Sequence, residues 1–398
     1  MHTVFNAVNR HLKEFPDKNI AVAVSGGADS MALCLALKAC AGAHGVRLTA
    51  LTVDHKLRDA SNVEAQQVHQ WLTAKNIHHR ILTWQHSPIS SRIQERARNA
   101  RYQLLIDYCK QHEIQALFFG HHLHDQAETF MMRLSHQSGL RGLAGMAPES
   151  YIGDIRIIRP FLMLEPQILK EYLRSQAQPW INDPSNQMQV YERVRWRQQL
   201  PDLTALGLTP QVIWEVSQKL SLENEALEWA ATDWIAHNAI WHNDLKWIDC
   251  TVDLKDLPEA LVKRIMLQLV SKVRGVTLSM ADTRHNLNSP LQRLRAYPFA
   301  PFTFGGCYWM VKRDRLYIVR EWEKAPTIDI TSLNMTYDCR FQLKNAPIGK
   351  TMCAVGKQYW PWIKPYVTQT HLPYQVFLSL PVVPTAEGVF PLDVYQYL

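Results

Sequence analysis

Short apolar runs that alternate with longer amphipathic stretches organise the first half of this chain. The run Ile20 to Val24 is uncharged and largely β-branched, which is typical of a strand buried on both faces of a parallel sheet. The same pattern predicts further strands at 47–53, 79–84 and 116–119 and helices at 64–75 and 93–114. Because strands and helices alternate, we expect an α/β domain with a doubly wound parallel sheet over residues 1–200.

Helical periodicity replaces this alternation in the second half. Thr209 and Pro210 supply a capping hydroxyl and a first-turn proline for a long helix that extends through Trp234. A second helix is predicted from 258 to about 273, and the stretch 280–287 is compatible with a third.

Short strands are predicted near the C-terminal end. A hairpin turn is expected at 312–315, and the segment 323–326 is typical of a linker. Beyond it, prolines separate short apolar runs whose aromatic residues favour a packed core over base-stacking platforms. We therefore expect a mainly helical domain with a C-terminal hairpin at 201–324 and a small β-rich domain at 325–398.

Composition limits the class of protein. Of 398 residues, 47% are hydrophobic and 20% are charged, which excludes a disordered chain, and no apolar stretch is long enough to cross a bilayer. The first residues lack an apolar signal core, and the seven cysteines show no Cys-x-x-Cys pair or zinc spacing. We expect a cytoplasmic protein with reduced thiols and no membrane partner. The net charge of +7 and the pI near 9.0 favour an anionic partner such as nucleic acid.

The first chemical signal lies between a strand and a helix, in the string Ser25-Gly26-Gly27-Ala28-Asp29-Ser30. The first N–H groups of a helix have no intrahelical acceptor and carry the positive end of its dipole. Glycines let the backbone approach an anion there, and the serine hydroxyls can add hydrogen bonds. The alternative is an ordinary tight turn, but the whole string favours a phosphate site. It is neither a Walker A loop, which has a lysine, nor the fingerprint Gly-x-Gly-x-x-Gly.

The second predicted strand ends in Asp54 and His55. In open α/β sheets ligands bind beyond the carboxyl ends of the strands, so both residues are expected near Ser25. The alternative is a capping aspartate beside a solvated basic turn. Asp54 and His55 are therefore candidate nucleotide-binding residues.

A later strand end leads into a stretch rich in histidine and acidic residues. His121, His122 and His124 lie where the strand gives way to a helix, without the i, i+4 pairing of a helical zinc site. Asp125 and Glu128 are three apart and share one helical face just after His122. Two carboxylates that face a phosphate pocket can hold magnesium or bind a substrate ammonium group. The structural alternative is that these acids stabilise a helix N-terminus.

Several blocks of sequence resemble the motifs of one enzyme family. The string at 25–30 is similar to the pyrophosphate loop Ser-Gly-Gly-x-Asp-Ser of ATP pyrophosphatases, the PP-loop superfamily. Gly120 to Thr129 resembles Ala-His-His-x-Asp-Asp-Gln-Ala-Glu-Thr, and Gly139 to Met146 matches Gly-Leu-Arg-Gly-Leu-Ala-Gly-Met throughout. Shorter matches, with departures at Lys56, Val194 and Trp196, lie at Val53 to Arg58, Arg159 to Leu162, Asp183 to Asn186 and Tyr191 to Arg197. Together these blocks resemble the tRNA-Ile lysidine synthetase family.

The resemblance implies a function and a set of site residues. Such enzymes use ATP to activate the wobble cytidine in the CAU anticodon of an isoleucine tRNA, and free L-lysine then replaces its 2-oxo oxygen. Residues 25–30, with Asp54 and His55, are expected to bind ATP. The remaining roles implied are magnesium binding by Asp29 and Asp125, lysine recognition by His122, Asp125 and Glu128, and phosphate contacts by Arg98 and Arg195. His124 stands where the family motif has an acidic residue.

Two other functions stay open at this stage. A PP-loop tRNA thiolase would use the same adenylation, but the isolated cysteines of this chain argue against it. A non-catalytic tRNA-binding protein of the same fold is disfavoured by the intact Ser25, Asp29 and Ser30. The segment 201–324 is the predicted tRNA-binding domain, and the oligomeric state is left open, with a homodimer as one alternative.

Overall fold

The computed structural model describes most of the chain, in two units. The described residues are 2–15, 18–57, 60–87, 92–182, 188–276, 287–296, 299–344, 346–368, 371–386, 388–390 and 392. The first unit is Met1–Asn224 and the second is Glu225–Leu398. The motif residues Arg58 and 183–186, and nearly all of the stretch 280–287, lie outside the described residues. The boundaries expected at 200 and 324 remain predictions.

A six-stranded sheet forms the centre of the first unit. Its strands are β1 (Asn19–Ala23), β2 (Arg47–Asp54), β3 (His78–Thr83), β4 (Ala116–Phe118), β5 (Glu149–Ile152) and β6 (Ile155–Ile158). Their order is β3-β2-β1-β4-β6-β5, and all neighbours are parallel except β5, which is antiparallel to β6. The predicted parallel sheet is therefore confirmed, with one antiparallel strand added at an edge.

Helices pack on both faces of this sheet. The helices of the first unit are α1 (His2–Leu12), α2 (Ala28–Ala41), α3 (Ala60–Ala74), α4 (Ile93–Gln111), α5 (Leu123–Ser135), α6 (Leu140–Leu143), α7 (Pro166–Ser175) and α8 (Glu192–Ala205). Ile20, Val22 and Val24 pack into one core with buried residues of α1, α2, α3 and α7. Ala21 and Ala23 face the other way, into a core with α4. Successive strand residues point to opposite faces, which explains why the uncharged run is apolar throughout.

The second unit combines helices with antiparallel sheets. Its helices are α9 (Pro210–Asn238, which begins in the first unit), α10 (Glu259–Arg274), α11 (Asn288–Arg295), α12 (Gly356–Ile363) and α13 (Gln375–Leu378). Its strands are β7 (Ala239–His242), β8 (Trp247–Thr251), β9 (Phe302–Phe304), β10 (Cys307–Lys312), β11 (Arg315–Arg320), β12 (Ile328–Asp329), β13 (Met335–Tyr337), β14 (Phe341–Leu343), β15 (Thr351–Ala354), β16 (Pro381–Thr385) and β17 (Gly388–Phe390). The sheets have the orders β7-β8-β11-β10-β9, β12-β15-β16-β17 and β13-β14.

Some elements of this unit were predicted and others were missed. The hairpin at 312–315 is present, because Lys312 pairs with Arg315 at the turn between β10 and β11. β7 and β8 were not predicted; together with β9 they extend this hairpin into a five-stranded sheet. Tyr317 and Val319 of β11 share a buried core with Phe377 of α13. Residues on both sides of the expected boundary at 324 are therefore packed together.

The described helices and the cysteines limit two further features of the chain. Within the described ranges, no helix combines the length and the apolar character that crossing a bilayer requires. The seven cysteines are all free, and Cys34, Cys109, Cys250 and Cys307 are buried.

Candidate functional site

The predicted phosphate loop connects β1 to α2. The Ser25 N–H donates to the Ser30 hydroxyl at 3.1 Å, and Ser30 Oγ donates to the Gly27 carbonyl oxygen at 3.0 Å. The two hydroxyl oxygens are 3.2 Å apart. Because the Ser30 proton is directed to Gly27, Ser25 Oγ is the donor between the two hydroxyls. The serines thus tie the loop to the first turn of α2.

The N-terminus of α2 has no side-chain cap. Gly27 occupies the N-cap position, and no side chain there accepts a hydrogen bond from the helix. The first N–H groups of α2, which cannot bond within the helix, therefore lack a capping side chain. This arrangement suits a phosphate group, which the N–H groups and the helix dipole both favour.

Gly26 is a position that requires glycine. Its φ is +86°, in the left-handed region that side-chain-bearing residues avoid. A Cβ there would lie 2.8 Å from Ile181 Cδ1 and 2.8 Å from Val68 Cγ2. The Ile181 N–H also donates to the Gly26 carbonyl oxygen at 2.9 Å. The loop is therefore supported by a residue more than a hundred positions away in sequence.

His122 and Asp125 form a capping box at the start of α5. The His122 N–H donates to Asp125 Oδ2 at 3.0 Å, and the Asp125 N–H donates to His122 Nδ1 at 3.4 Å. Because Nδ1 accepts, the proton of the neutral ring is on Nε2. His122 Nε2 lies 3.6 Å from Asp29 Oδ2 and 3.6 Å from Asp125 Oδ2. The imidazole of His122 thus lies between Asp29 of the phosphate loop and Asp125 of α5.

Asp29 and Asp125 differ in how readily they ionise. Burial raises the pKa of Asp29, His122 partly offsets this, and the charge of Asp125 adds to it. Burial also acts to raise the pKa of Asp125, but His122 and Arg193 outweigh it and lower that pKa overall. In the described part of the chain Asp29 Oδ1 is buried without a hydrogen-bond partner. Asp125 is therefore the fixed negative charge, and Asp29 has an oxygen available to a ligand.

Glu128 is fully buried against α8. Arg197 donates from Nε to Oε1 at 2.6 Å and from Nη2 to Oε2 at 3.1 Å. Arg193 Nε lies 3.2 Å from Oε2, and Arg193 Nη2 donates to Thr129 Oγ1 at 2.8 Å. The hydrogen bond to Glu128 raises the pKa of Arg197. The predicted lysine-binding acid is thus paired with two arginines and anchors α8 to α5.

Arg98 and Arg195, the predicted phosphate contacts, are both exposed. The Arg98 guanidinium lies 5.3 Å from the centroid of the Tyr102 ring. Arg195 Nη1 donates to the carbonyl oxygens of Gln189 and Val190 at 3.1 and 3.3 Å. Arg195 therefore closes the turn before α8, while its neighbours at 193 and 197 contact Glu128.

Other basic residues near the site were not among those predicted. Arg193 and Arg197 were missed, although their i, i+4 spacing indicates a shared helical face. The Arg101 guanidinium lies 5.6 Å from the centroid of the Phe119 ring, and Arg159 Nε is buried without a partner among the described residues. Burial, with both of these arginines contributing, lowers the pKa of His121 to about 3. His121 is therefore neutral in a positively charged surrounding.

Asp54 and His55 hold the turn that follows β2. Asp54 Oδ1 accepts hydrogen bonds from Ser61 Oγ at 2.7 Å and from the Lys56 N–H at 3.0 Å. The His55 ring is edge-on to Trp84, with centroids 6.3 Å apart, and burial lowers its pKa. His55 Nδ1 is buried and has no hydrogen-bond partner in the described ranges. Asp54 thus stabilises the turn, while His55 has a ring nitrogen available to a ligand.

His124 pairs with an acid from another helix. His124 Nε2 lies 2.8 Å from the carboxylate oxygen Oε2 of Glu165, the N-cap residue of α7. A carboxylate at position 124 would face Glu165 and be repelled by it. The departure from the family motif is therefore matched by a hydrogen bond between His124 and Glu165.

Gln126 and Arg133 of α5 form hydrogen bonds with the segment 139–146. Gln126 Nε2 donates to the Met146 carbonyl oxygen at 2.5 Å, and the Met146 N–H donates to Gln126 Oε1 at 2.8 Å. Arg133 Nη1 donates to the carbonyl oxygens of Gly142 and Gly145 at 2.6 and 3.0 Å. The two matching blocks at 120–129 and 139–146 thus form one connected substructure.

Comparisons with known proteins agree with these motifs. A family model for the PP-loop domain matches residues 1–203. The tRNA(Ile)-lysidine synthase of Ruegeria pomeroyi is 30% identical over 388 residues, which cover 92% of this chain and 86% of that protein. That of Orientia tsutsugamushi is 30% identical over 400 residues, covering 95% and 89%. That of Methylobacterium sp. is 40% identical over 259 residues, covering 64% and 74%.

Solved structures show a more distant likeness. The U34-tRNA thiolase NcsA from Methanococcus maripaludis, with its [4Fe-4S] cluster, has a TM-score of 0.48 at 15% identity. The similarity covers 55% of this chain and 76% of that one.

Proposed function

This chain belongs to the tRNA(Ile)-lysidine synthase family of PP-loop proteins, and we propose from this premise that it uses ATP to join lysine to an isoleucine tRNA. The target is carbon 2 of the wobble cytidine in a CAU anticodon. The cytosine 2-oxo oxygen first attacks the α-phosphorus of ATP, and pyrophosphate leaves. The uncharged side-chain amine of lysine then attacks carbon 2 and loses a proton, and AMP leaves with the former 2-oxo oxygen.

The position of His122 is the observation that carries this proposal. Its Nε2 is 3.6 Å from a carboxylate oxygen of Asp29 and 3.6 Å from one of Asp125. The PP-loop is shared by many ATP-using enzymes, whereas the motif around His122 resembles that of one family. A substrate amine bound at this junction lies next to the site of adenylation.

The phosphates of ATP are proposed to bind at the start of α2. Ser25 and Ser30 shape the loop, and the uncapped N–H groups of α2 face the anion. Such fixed donors cost no reorganisation when negative charge develops on the leaving pyrophosphate.

Asp29 and Asp125 have the chemistry that a magnesium ion requires. Mg²⁺ is bound in proteins by one or two carboxylates together with phosphate oxygens and water. Asp29 Oδ1 is buried without a protein partner in the described part of the chain, which makes it available as a ligand. The ion would neutralise charge on the phosphates of ATP.

Lysine is proposed to bind at His122, Asp125 and Glu128. Asp125 has a lowered pKa and so stays ionised to attract an ammonium group. His122 Nε2 lies between the two acids, 3.6 Å from a carboxylate oxygen of Asp29 and 3.6 Å from one of Asp125. Glu128 acts through Arg197. It holds the guanidinium so that Arg197 Nη2 lies 4.0 Å from Asp125 Oδ1.

Arg98 and Arg195 are proposed to contact tRNA phosphates. Both side chains are exposed and can therefore reach a large polyanion. Arginine suits this role because its planar fork matches phosphate oxygens.

A radioactive incorporation assay tests the function. The protein is incubated with labelled lysine, ATP, and either isoleucine tRNA or methionine tRNA, both with a CAU anticodon. Label in the isoleucine tRNA, with AMP formed in equal amount, is the expected result. Transfer of sulfur in place of lysine would indicate a thiolase, which the burial of Cys34, Cys109, Cys250 and Cys307 disfavours. Binding of tRNA without AMP formation would indicate a non-catalytic protein.

A further inference from the structure

A threonine of β2 bonds to the backbone of β1 at the point where β1 leads into the phosphate loop. The Val24 N–H donates to the Leu51 carbonyl oxygen of β2 at 2.8 Å, as in a regular sheet. The Val24 carbonyl oxygen accepts from a side chain, the Thr52 hydroxyl, at 2.7 Å. Thr52 is buried, so this hydrogen bond is shielded from water.

The carbonyl of Val24 belongs to the same peptide unit as the N–H of Ser25, the first residue of the phosphate loop. A peptide unit is planar, and in the trans form its C=O and N–H point in opposite directions. The Ser25 N–H donates to Ser30 Oγ at 3.1 Å. Thr52 and Ser30 thus hold the first peptide unit of the loop from both sides, which fixes its rotation.

Two histidines hold the Thr52 hydroxyl in turn. Because Thr52 Oγ1 directs its proton to Val24, His79 Nε2 donates to Thr52 Oγ1, at 2.8 Å. His79 Nδ1 is then an acceptor, and His69 Nδ1 donates to it at 3.0 Å. His79 is buried, whereas His69 lies on the exposed surface of α3. A hydrogen-bonded relay of His69, His79 and Thr52 therefore leads from α3 to the phosphate loop, with every bond donated in the same direction.

The orientation of this peptide unit matters for the rest of the loop. Ser30 Oγ, which accepts from the Ser25 N–H, also donates to the Gly27 carbonyl oxygen at 3.0 Å. Gly27 is the N-cap residue of α2, next to the N–H groups that lack a capping side chain. A rotation of the peptide unit would therefore disturb Ser30 and, through it, the helix end that faces the anion. Hydrogen bonds in a chain polarise one another, so the loss of one weakens its neighbours.

Packing alone does not explain the buried Thr52 and His79. Two apolar side chains in place of a hydrogen-bonded pair can be nearly neutral for stability. The same two strands also contain a comparison, because Thr49 Oγ1 lies 3.4 Å from Nδ1 of the exposed His78. Thr49 is three residues before Thr52, so it faces the other side of the sheet, farther from the loop.

We propose that Thr52, oriented by His79 and His69, is a positioning residue for the phosphate loop and sets its affinity for the phosphates of ATP. This inference rests on the proposed function for the identity of the ligand. The relay acts through the peptide unit between Val24 and Ser25, which it holds in the orientation that Ser30 and the start of α2 require.

Calorimetric titration of the full-length protein with ATP and magnesium tests the proposal. Thr52→Val keeps the shape of the side chain and removes the hydroxyl. It should raise the Kd for ATP about 5- to 30-fold, because the Val24 carbonyl loses its donor. Thr52→Ser keeps the hydroxyl and should restore most of the affinity. Thr49→Val, the matched control on the same strand, should leave the Kd unchanged.

Amide hydrogen exchange separates positioning from a general loss of stability. Without ATP, the Ser25 amide should exchange at least about threefold faster in Thr52→Val, because the peptide unit is free to rotate, while Leu35 in the middle of α2 keeps its rate. Equal acceleration of Ser25 and Leu35 with the Kd for ATP unchanged would show a purely structural role and overturn the proposal.

His69→Ala provides a second test at an exposed position, where the fold is preserved. It removes the donor to His79 Nδ1 and should raise the Kd for ATP about 2- to 5-fold. His78→Ala, at an exposed position of β3, should have no effect. Unchanged affinity in both Thr52→Val and His69→Ala would overturn the proposal, and if Thr52→Val does not fold, His69→Ala decides alone. An effect of Thr52→Val without one of His69→Ala would remove His69 from the relay.

The wild-type incorporation assay, run in parallel, distinguishes the two levels of inference. If the wild type attaches lysine to tRNA while Thr52→Val and His69→Ala bind ATP as tightly as the wild type, the relay proposal fails and the proposed function stands. If the wild type neither binds ATP nor attaches lysine, the proposed function fails, and the relay proposal with it.

Discussion

Arg197 donates two hydrogen bonds to the fully buried carboxylate of Glu128, at 2.6 and 3.1 Å. Glu128→Gln preserves the shape of the side chain and removes the charge that neutralises Arg193 and Arg197. We expect a loss of about 1–3 kcal/mol in the free energy of unfolding, since both arginines remain partly solvated. Lysine transfer should fall at least about 10-fold, and more than adenylate formation. Thermal melts and rapid-quench separation of the half-reactions measure the two effects.

Glu192, the first residue of α8, provides the control for Glu128. Glu192 lies 3.2 Å from the exposed His136 and is itself only partly buried, so Glu192→Gln should change neither stability nor either half-reaction appreciably. Equal loss of adenylate formation and lysine transfer in Glu128→Gln would argue that Glu128 serves the nucleotide and not the amine.

Asp29→Asn should separate catalysis from stability. Asp29 Oδ1 makes no hydrogen bond with the described residues, and burial raises its pKa, so the charged form is held at a cost to folding. The variant should therefore melt no lower than the wild type, while AMP formation falls by about 100-fold or more. Its affinity for tRNA should stay within about threefold. Asp154→Asn, in the exposed turn between β5 and β6, is the control; normal turnover by Asp29→Asn would remove the assignment of the loop.

Gly26→Ala and Gly42→Ala form a matched pair of glycine substitutions. Gly26 has a φ of +86°, and alanine there should cost about 1–2 kcal/mol of stability and raise the KM for ATP. Gly42 has a φ of −60° with nothing near its would-be Cβ, so alanine should stabilise the protein by about 0.5–1 kcal/mol. Thermal melts and ATP titrations measure both. A stable Gly26→Ala with unchanged KM would show that the loop has a different conformation.

The buried His79 should make the fold sensitive to acid. Thr52 Oγ1 donates to the Val24 carbonyl oxygen at 2.7 Å, so His79 Nε2 must donate to Thr52 Oγ1 at 2.8 Å. His79 Nδ1 then accepts a hydrogen bond from His69 Nδ1 at 3.0 Å. Protonation of His79 Nδ1 would break that hydrogen bond. Burial lowers the pKa of His79 to about 4 from an ordinary 6.5.

The sign of this effect follows from the two pKa values. The unfolded chain takes up a proton below pH 6.5 and the folded chain does not until about pH 4, so the stability is complete above pH 6.5 and is lost as the pH falls toward 4. Between pH 7 and 5 the loss should be about 2 kcal/mol. His79→Gln should remove this loss, whereas His78→Gln, at an exposed position, should not. Urea titrations at the two pH values test this, and an equal loss in His79→Gln would exclude His79 as its source.

The parts of the fold that sequence predicts are those with strong local signals. The run at 20–24 and the string at 25–30 specify strand, glycine turn and helix, because two-sided burial and a tight turn each limit the residues allowed. β7 and β8 were missed because Trp241 and Trp247 lie in short, mixed segments that become strands only by pairing, β8 with β11 and β7 with β8. The shared core of Tyr317 and Phe377 was also invisible, because it joins residues 60 positions apart.

In the candidate site, too, local arrangements could be predicted from the sequence and long-range contacts could not. His122 and Asp125 could be placed together, since a capping box is a local arrangement. The choice among the arginines of α8 could not be made, because it depends on how the helix is rotated about its axis. Val194 and Leu200 are buried and set that rotation, which turns Arg193 and Arg197 toward Glu128 and Arg195 toward solvent. A basic segment by itself does not reveal which of its charges face inward.

The bond from the Ile181 N–H to the Gly26 carbonyl oxygen also bears on how the protein is made. A ribosome releases the chain from its N-terminal end, so residues 25–30 emerge long before residue 181. Until that later segment arrives, the loop lacks both this hydrogen bond and the side chain that lies against Gly26. The proposed nucleotide site therefore forms late, when nearly the whole first unit has been synthesised, and a nascent chain that ends before residue 181 has the motif without this support.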